Sequence, residues 1–277
     1  MTALAVDATS RPVGSSPGRP LRIGLIAPTW FTVRSRSRPP PTAGAERWLR
    51  AWRIARSPEV TTWTPVGAGP SATAAQRYCR VYPSPPSARL GDPVPEVLHA
   101  TAAAATLDSE ALDVVHDHTL AGPLLARGRA VPTVVTAHRP VAGELGDYLA
   151  RLGATVDVVA ISDAQRRLWP ELNWASTVHN GVDVASFPLG DGGGGYLLFL
   201  GRFNPDKGAH LAIDAAEEAG CRLVLAGKLN ERAEKAYFAS AIALRLGPGV
   251  EYIGEADAAT KRELYAGALA LVFPVCW

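Results

Sequence analysis

From Leu21 onward, short apolar runs alternate with longer stretches of helical period, and this rhythm narrows the fold more than any other property of the chain. The runs "LRIGLIAP", "LDVVHDH", "PTVVTAH" and "VDVVAIS" are almost continuously apolar, as parallel strands are when both of their faces are covered. Between them, "VPEVLHATAAAATL", "LAGPLLARG" and "VAGELGDYLARLG" are long enough to act as crossover helices. The pattern is that of an α/β, doubly wound unit.

The rhythm stops at Asp191 and the four glycines Gly192 to Gly195, a linker signature. It resumes with "YLLFLGR", "RLVLAG", "VEYIGE" and "LALVFPV", separated by the helix-like "AEKAYFASAIALRL" and "DAATKRELYAGAL". The expected organisation is a disordered tail over 1–20, a first Rossmann-like domain over 21–187, a Gly-rich linker over 188–195 and a second Rossmann-like domain over 196–277. The second has about four strands where such units usually carry five or six, so it is expected to be incomplete. "LALVFPV" would then be a strand with no following partner, an open edge inviting self-association.

Charge and cysteine usage exclude several classes. Lys and Arg total 28 against 26 Asp and Glu, so the overall charge gives no reason to expect nucleic acid as a partner. Cys79, Cys221 and Cys276 are scattered, with no Cys-x-x-Cys pair; they fit packing roles in a reducing compartment better than disulfides or structural zinc. The first twenty residues hold no apolar core for a signal peptide, and no later run approaches the ~18 to 20 apolar residues that span a bilayer. These features point to a cytoplasmic protein, with room for peripheral contact with a membrane. A nicotinamide or flavin cofactor is not expected, because "IGLIAPTW" lacks the G-x-G-x-x-G turn.

The strongest chemical signal is "LLFLGRFNPDKGAHLAIDAA", residues 197–216. An apolar strand leaves Gly201 and Arg202 at its carboxyl end, where open α/β sheets bind ligands. The turn is expected to bring Asp206 near a helix N-cap, with Lys207 and Gly208 in the first turn and Gly220 closing the helix. Free amides and the helix dipole there favour an anion, and two cations about a backbone nest suit a diphosphate.

This block, with "HNGVDVASF" before it and "VEYIGEADAATKRELYAGALALVFPV" after it, resembles the family 4 retaining glycosyltransferases of GT-B fold over roughly residues 21–33 and 95–277. The resemblance implies transfer of a sugar from a nucleoside-diphosphate sugar to an acceptor hydroxyl, with retention and without a metal or other cofactor. Arg202 and Lys207 would hold the donor diphosphate and stabilise charge on the leaving group, with Gly201 and Gly208 shaping the turn. His138, after the strand "PTVVTA", would approach the donor sugar and its leaving group. Asn180, Gly181 and Asp183 match the family's interdomain crossing segment.

Other residues are read from position. His116 and His118 in "VVHDHT" are spaced i and i+2 at a strand end, so both project to one face as lining residues; a zinc pair is conceivable there, but no third ligand is placed. Ser162 and Asp163 in "VAISDAQRRLW" read as a helix N-cap. Lys228 and Glu255 stand at successive strand ends of the second unit and are candidate donor-site neighbours.

Two segments depart from the family. Relatives continue beyond "ALALVFPVCW" into a Glu-x7-Glu segment whose carboxylates contact the donor, so weak nucleotide binding with little or no transfer is expected of the sequence as it stands. A non-catalytic sugar-nucleotide-binding remnant, or less directly an epimerase of the same architecture, remain the alternatives. Residues 34–59, "RSRSRPPPTAGAERWLRAWRIARSPE", stand where relatives carry Y-G-G-x-E and a helix. A basic, Trp-bearing helix for a membrane surface and a local reading-frame error, whose shadow frame permits family-like strings, are both open.

Overall fold

The computed structural model describes residues 20–30, 60–70, 75, 77–181, 184–187 and 189–276. The expectations for the N-terminal tail, for 34–59 and for Asp183 fall outside those residues, apart from Pro20 at the end of the tail. Apolar runs become strands wherever expected. Leu21–Ile26 is β1, Val60–Ala68 β2, Cys79–Tyr82 β3, Val114–Asp117 β4, Thr133–Thr136 β5, Asp157–Ala160 β6 and Trp174–Thr177 β7. They form one seven-stranded sheet in the order β3-β2-β1-β4-β5-β6-β7, with every pair parallel. Its switch point, where the strand order reverses, lies between β1 and β4.

Helix α1, Pro93–Leu107, starts because Asp92 caps it, accepting from Val94 N at 2.9 Å, and because Pro93 needs no amide partner in the first turn. Its Ala103 and Leu107 pack with Ile26, Val66 and Val115 in one apolar cluster. Helix α2, Gly143–Leu152, and α3, Asp163–Arg167, follow on the other half of the sheet, where Val135, Val141, Leu149, Val158 and Leu172 pack together. Ser162 caps α3, accepting from Gln165 N at 3.1 Å, as its sequence position indicates. "LAGPLLARG" differs from expectation. It is a short 3-10 turn, Gly122–Ala126, rather than a crossover helix, since Gly122 N is taken by the Thr119 hydroxyl and Pro123 brings no amide of its own.

The second sheet holds β8, Tyr196–Leu200, β9, Arg222–Ala226, β10, Val250–Tyr252, and β11, Ala268–Leu271, in the order β10-β9-β8-β11, all parallel. Helix α4, Ala209–Glu218, buries Ala209, Ala212, Ile213 and Ala216, the i, i+3, i+4, i+7 stripe that faces a sheet. Three of those four are alanines, so the helix lies close to β8 and β9, and burial of Ile213 contributes about 1.5–3 kcal/mol. "AEKAYFASAIALRL" is helix α5 only over Arg232–Tyr237; it widens into a π turn at Phe238–Ile242 and tightens to 3-10 at Ala243–Arg245. The widened turn leaves Phe238 on Phe203 and Tyr252 at 5.0 and 4.8 Å while Ile242 is fully buried. Asp257 caps α6, Ala258–Gly267.

The glycine run is not a free hinge. Gly192 N and Gly194 N donate to Ala266 O and Gly267 O at 3.1 and 2.9 Å, so the run is tied to the end of α6 before β8 begins. No helix among the described residues is long and apolar enough to cross a membrane.

Candidate functional site

Because each sheet is wholly parallel, the carboxyl ends of its strands lie along one edge, and the candidate residues gather there. In the first unit they lie on β4 and β5, beginning at the switch point. β4 carries His116 and runs into His118, while β5 carries Thr136 and runs into His138. His116 Nε2 lies 2.7 Å from Thr136 Oγ1, and His118 Nδ1 lies 2.8 Å from His138 Nε2. The rings of His116 and His118 are 4.2 Å apart, and those of His118 and His138 are stacked at 5.1 Å. Thus the structure joins three histidines that the sequence treats as a pair and a singleton.

Their electrostatics are those of neutral imidazoles. Burial pushes His116 and His138 down to about 4, and His118 well below its ordinary value, with neighbouring histidines adding to the effect at His116 and His118. The group therefore offers hydrogen bonds rather than positive charge at neutral pH. Among the described residues no cluster of three or more His, Cys, Asp or Glu is arranged to hold a metal; His118 and His138 turn ring nitrogens toward each other instead.

Two residues missed in the sequence shape this edge. Asp117 sits between the histidines but faces the other way, fully buried, with Oδ1 accepting from Thr119 N and Oγ1 at 2.8 and 2.7 Å. Burial raises its carboxyl to about 7. A Cβ at Gly122 would come 2.1 Å from Asp117 Oδ2, so only glycine lets the following turn close over the carboxyl. Gln165 on α3 donates from Nε2 to Ala137 O and Arg139 O at 2.9 and 2.7 Å, gripping the backbone on both sides of His138. Its Oε1 accepts from Ile161 N at 2.8 Å.

In the second unit the switch point lies between β8 and β11, and the Gly201–Gly208 turn leaves β8 there. Arg202 is exposed, with no hydrogen bond or ion pair among the described residues. The Lys207 side chain is 15% exposed, and its Nζ lies 3.6 Å from Asp206 Oδ2. The helix start differs from expectation. A 3-10 turn spans Pro205–Lys207, and Gly208, in the left-handed region at φ 69, is the N-cap of α4 in place of Asp206. The Lys207 and Gly208 amides donate to Asn204 O and Pro205 O, both at 3.0 Å, and His210 N lies 3.2 Å from the Tyr237 hydroxyl. The nest is therefore largely self-satisfied, and the cationic side chains together with the dipole of α4 are what the turn can offer an anion.

The segment after β11 closes over this turn: Cys276 N donates to Asp206 O at 2.9 Å, and Pro274 O stands where a Gly208 side chain would be. Lys228, after β9, lies 3.3 Å from Glu231 Oε1, and Glu255 follows β10 half-buried. Asn180 and Gly181 are exposed in the segment after β7, the last strand of the first sheet. A recess of about 420 Å³ lies elsewhere, near the start of β9, lined by Cys221, Arg222 and Arg245. Its arginines are matched by Glu251, Asp214 and Glu217, so it has no spare charge for an anion.

Two parallel Rossmann-like units in tandem, each with polar residues at its switch point, define a scaffold of GT-B type, the fold of a large class of glycosyltransferases. The likeness to solved structures bears this out. AviGT4, a glycosyltransferase involved in avilamycin A biosynthesis, is 23% identical, with 91% of this chain and 68% of that chain covered at a TM-score of 0.59. Sucrose-phosphate synthase from Thermosynechococcus elongatus is 15% identical, with 92% and 75% covered at 0.66. Anabaena HepE, in complex with UDP and glucose, is 15% identical, with 92% and 74% covered at 0.61. At these identities the likeness is one of fold. No curated protein sequence matches the chain. Residues 44–186, more than half of the chain, match the model described as Glycosyltransferase Family 4, and residues 188–277 match that of Glycosyl transferases group 1. The chain belongs to the family 4 glycosyltransferases.

Proposed function

We propose that this protein transfers a glycosyl group from a nucleoside-diphosphate sugar to an acceptor hydroxyl with retention of configuration and without a metal. The observation that carries the reading is the Gly201–Gly208 turn at the switch point of the second sheet, with Arg202 unpaired among the described residues and Lys207 beside the start of α4. A diphosphate bound there meets two cations and the positive end of a helix. The same groups stabilise the negative charge that grows on the diphosphate as the sugar leaves, so the bond to the anomeric carbon breaks without a Lewis acid. His138, neutral and partly exposed, supplies a hydrogen bond rather than a charge. The structure of HepE with UDP and glucose is consistent with a donor of this class on this fold.

Calorimetry with UDP, GDP and ADP tests the reading. Arg202→Ala and Lys207→Ala should each weaken nucleoside-diphosphate binding by ~1.5–3 kcal/mol, tenfold or more, while leaving the nucleoside almost unaffected. Equal affinities in all three proteins would remove the diphosphate from this turn. Where transfer is detected, the anomeric proton coupling of the product reads retention directly, and an inverted product would refute that part.

A further inference from the structure

β8 and β9 run parallel with Leu200 opposite Ala226, and the two chains continue past that last pair in step. Gly201 N donates to Ala226 O at 3.0 Å, and a Cβ on Gly227 would run into Gly201 O, so the backbones meet with no room for a side chain. From the β10 side, the Tyr252 hydroxyl donates to Gly227 O at 2.8 Å and Gly227 N donates to Gly254 O at 2.9 Å. Arg202 and Lys228 come next, each two positions beyond the last pair. Neighbouring strands stand ~4.8 Å apart. Lys228 therefore leaves the sheet one strand away from the arginine of the Gly201–Gly208 turn, a gap that a flexible four-carbon stem can cross.

Lys228 is paired with an acidic residue three positions on. Its Nζ lies 3.3 Å from Glu231 Oε1, and the two side chains are 25% and 28% exposed. The partners are not equally free. Glu231 is the N-cap of α5: its side chain accepts from Glu234 N, and its own amide donates to Glu234 Oε2 at 3.2 Å. The Asn230 amide donates to the same oxygen at 3.1 Å, and Glu234 is fully buried. Glu231 is thus anchored through both backbone and side chain, whereas the ammonium can turn about its stem. A partly exposed ion pair is weak, and a diphosphate brings more negative charge and more acceptor oxygens than one carboxylate.

We propose that Lys228 is a movable third cation of the anion site, held by Glu231 while the site is empty and passed to the diphosphate when a nucleotide binds. Glu231 thereby tunes the affinity, because the form that can bind with all three cations is only the fraction in which the ion pair is open. This deepens the reading of the Gly201–Gly208 turn as the diphosphate site and rests on it.

The test is calorimetric titration of inorganic pyrophosphate into the whole chain and its variants. Glu231→Gln keeps a side-chain oxygen for the Glu234 amide, so α5 retains its cap while the carboxylate charge is lost. That variant should bind pyrophosphate roughly threefold more tightly, the worth of a partly exposed ion pair. Lys228→Met should bind about tenfold more weakly, as expected for a lost charge-assisted hydrogen bond, and adding Glu231→Gln to it should bring no gain. Unchanged or weaker binding by Glu231→Gln would overturn the proposal. So would a gain of the same size in the Lys228→Met background, since the carboxylate would then act by plain repulsion of the anion. Arg202→Ala separates this outcome from the reading beneath it. If Arg202→Ala weakens binding and Lys228→Met does not, only the third cation falls; if no variant alters pyrophosphate binding, the turn is not the diphosphate site and both readings fall.

Discussion

At Gly208 the backbone takes φ 69 and ψ 30, and a Cβ there would lie 2.1 Å from Pro274 O. Left-handed strain and a backbone clash add at one position, so Gly208→Ala should cost about 1–3 kcal/mol or more in chemical denaturation and should also weaken nucleoside-diphosphate binding by displacing Lys207. Unchanged stability in that variant would mean the segment after β11 does not press on the turn. The Gly201–Gly208 turn could be read from the chain because its cations and glycines are contiguous. Asp117 and Gln165 could not. Asp117 stands in plain view between two histidines, yet its importance arises from the closeness of Gly122, and that of Gln165 from carbonyls more than twenty positions earlier in the chain. Neither relation leaves a local pattern. The i, i+2 spacing of His116 and His118 did predict a shared face, while the approach of His138 depended on the register of β5 against β4.

Among the elements, strands whose apolar runs are continuous were legible and those that lie toward the edges were not. β2 carries threonines and Pro65, which argue against an inner strand. The structure resolves the conflict. Val66 O accepts from Ala27 N, so Pro65 faces the opposite side, where β3 begins only opposite Val66 and no ladder bond is lost. β7, "WAST", is half exposed and polar, as an outermost strand is, and has no apolar signature to find. In the second sheet β11 is an edge that pairs, among the described residues, only with β8 and leaves Leu269 and Leu271 58% and 49% accessible, with Phe273 beyond them. An apolar edge of this kind is a template for further pairing. Concentration-dependent self-association should appear in light scattering, and Leu269→Lys should reduce it; a monodisperse monomer across the same concentrations would show that the edge is protected.

Across the whole molecule, buried titratable groups set how stability follows pH. His99, His116, His118 and His138 are all held below their ordinary value of 6.5, chiefly by burial. As pH falls below 6.5 the unfolded chain binds more protons at these sites than the folded chain, down to about pH 4 at His116 and His138, so stability falls on acidification, by up to ~1.4 kcal/mol per pH unit for each histidine. Asp117 opposes this. Its folded pKa of about 7 exceeds the ordinary 3.8, so its contribution is full at low pH and is lost as pH rises toward 7. Four histidines outweigh one carboxyl, and the melting temperature should drop between pH 7 and 5. Asp117→Asn should steepen that drop and raise stability above pH 7; thermal melts across the range in both proteins provide the check, and a flat profile would contradict the burial of the histidines. One backbone contact also orders events in time. The hydrogen bond from Cys276 to Asp206 joins the Gly201–Gly208 turn to the segment beyond β11, and such a distant closure comes late because the intervening chain must first lose its freedom. A nascent chain that has emerged from the ribosome only as far as β10 already holds Arg202 and Lys207, yet it lacks the strap that fixes the turn between them. The turn that carries the two cations therefore acquires its shape only after β11 and the segment beyond it have been made.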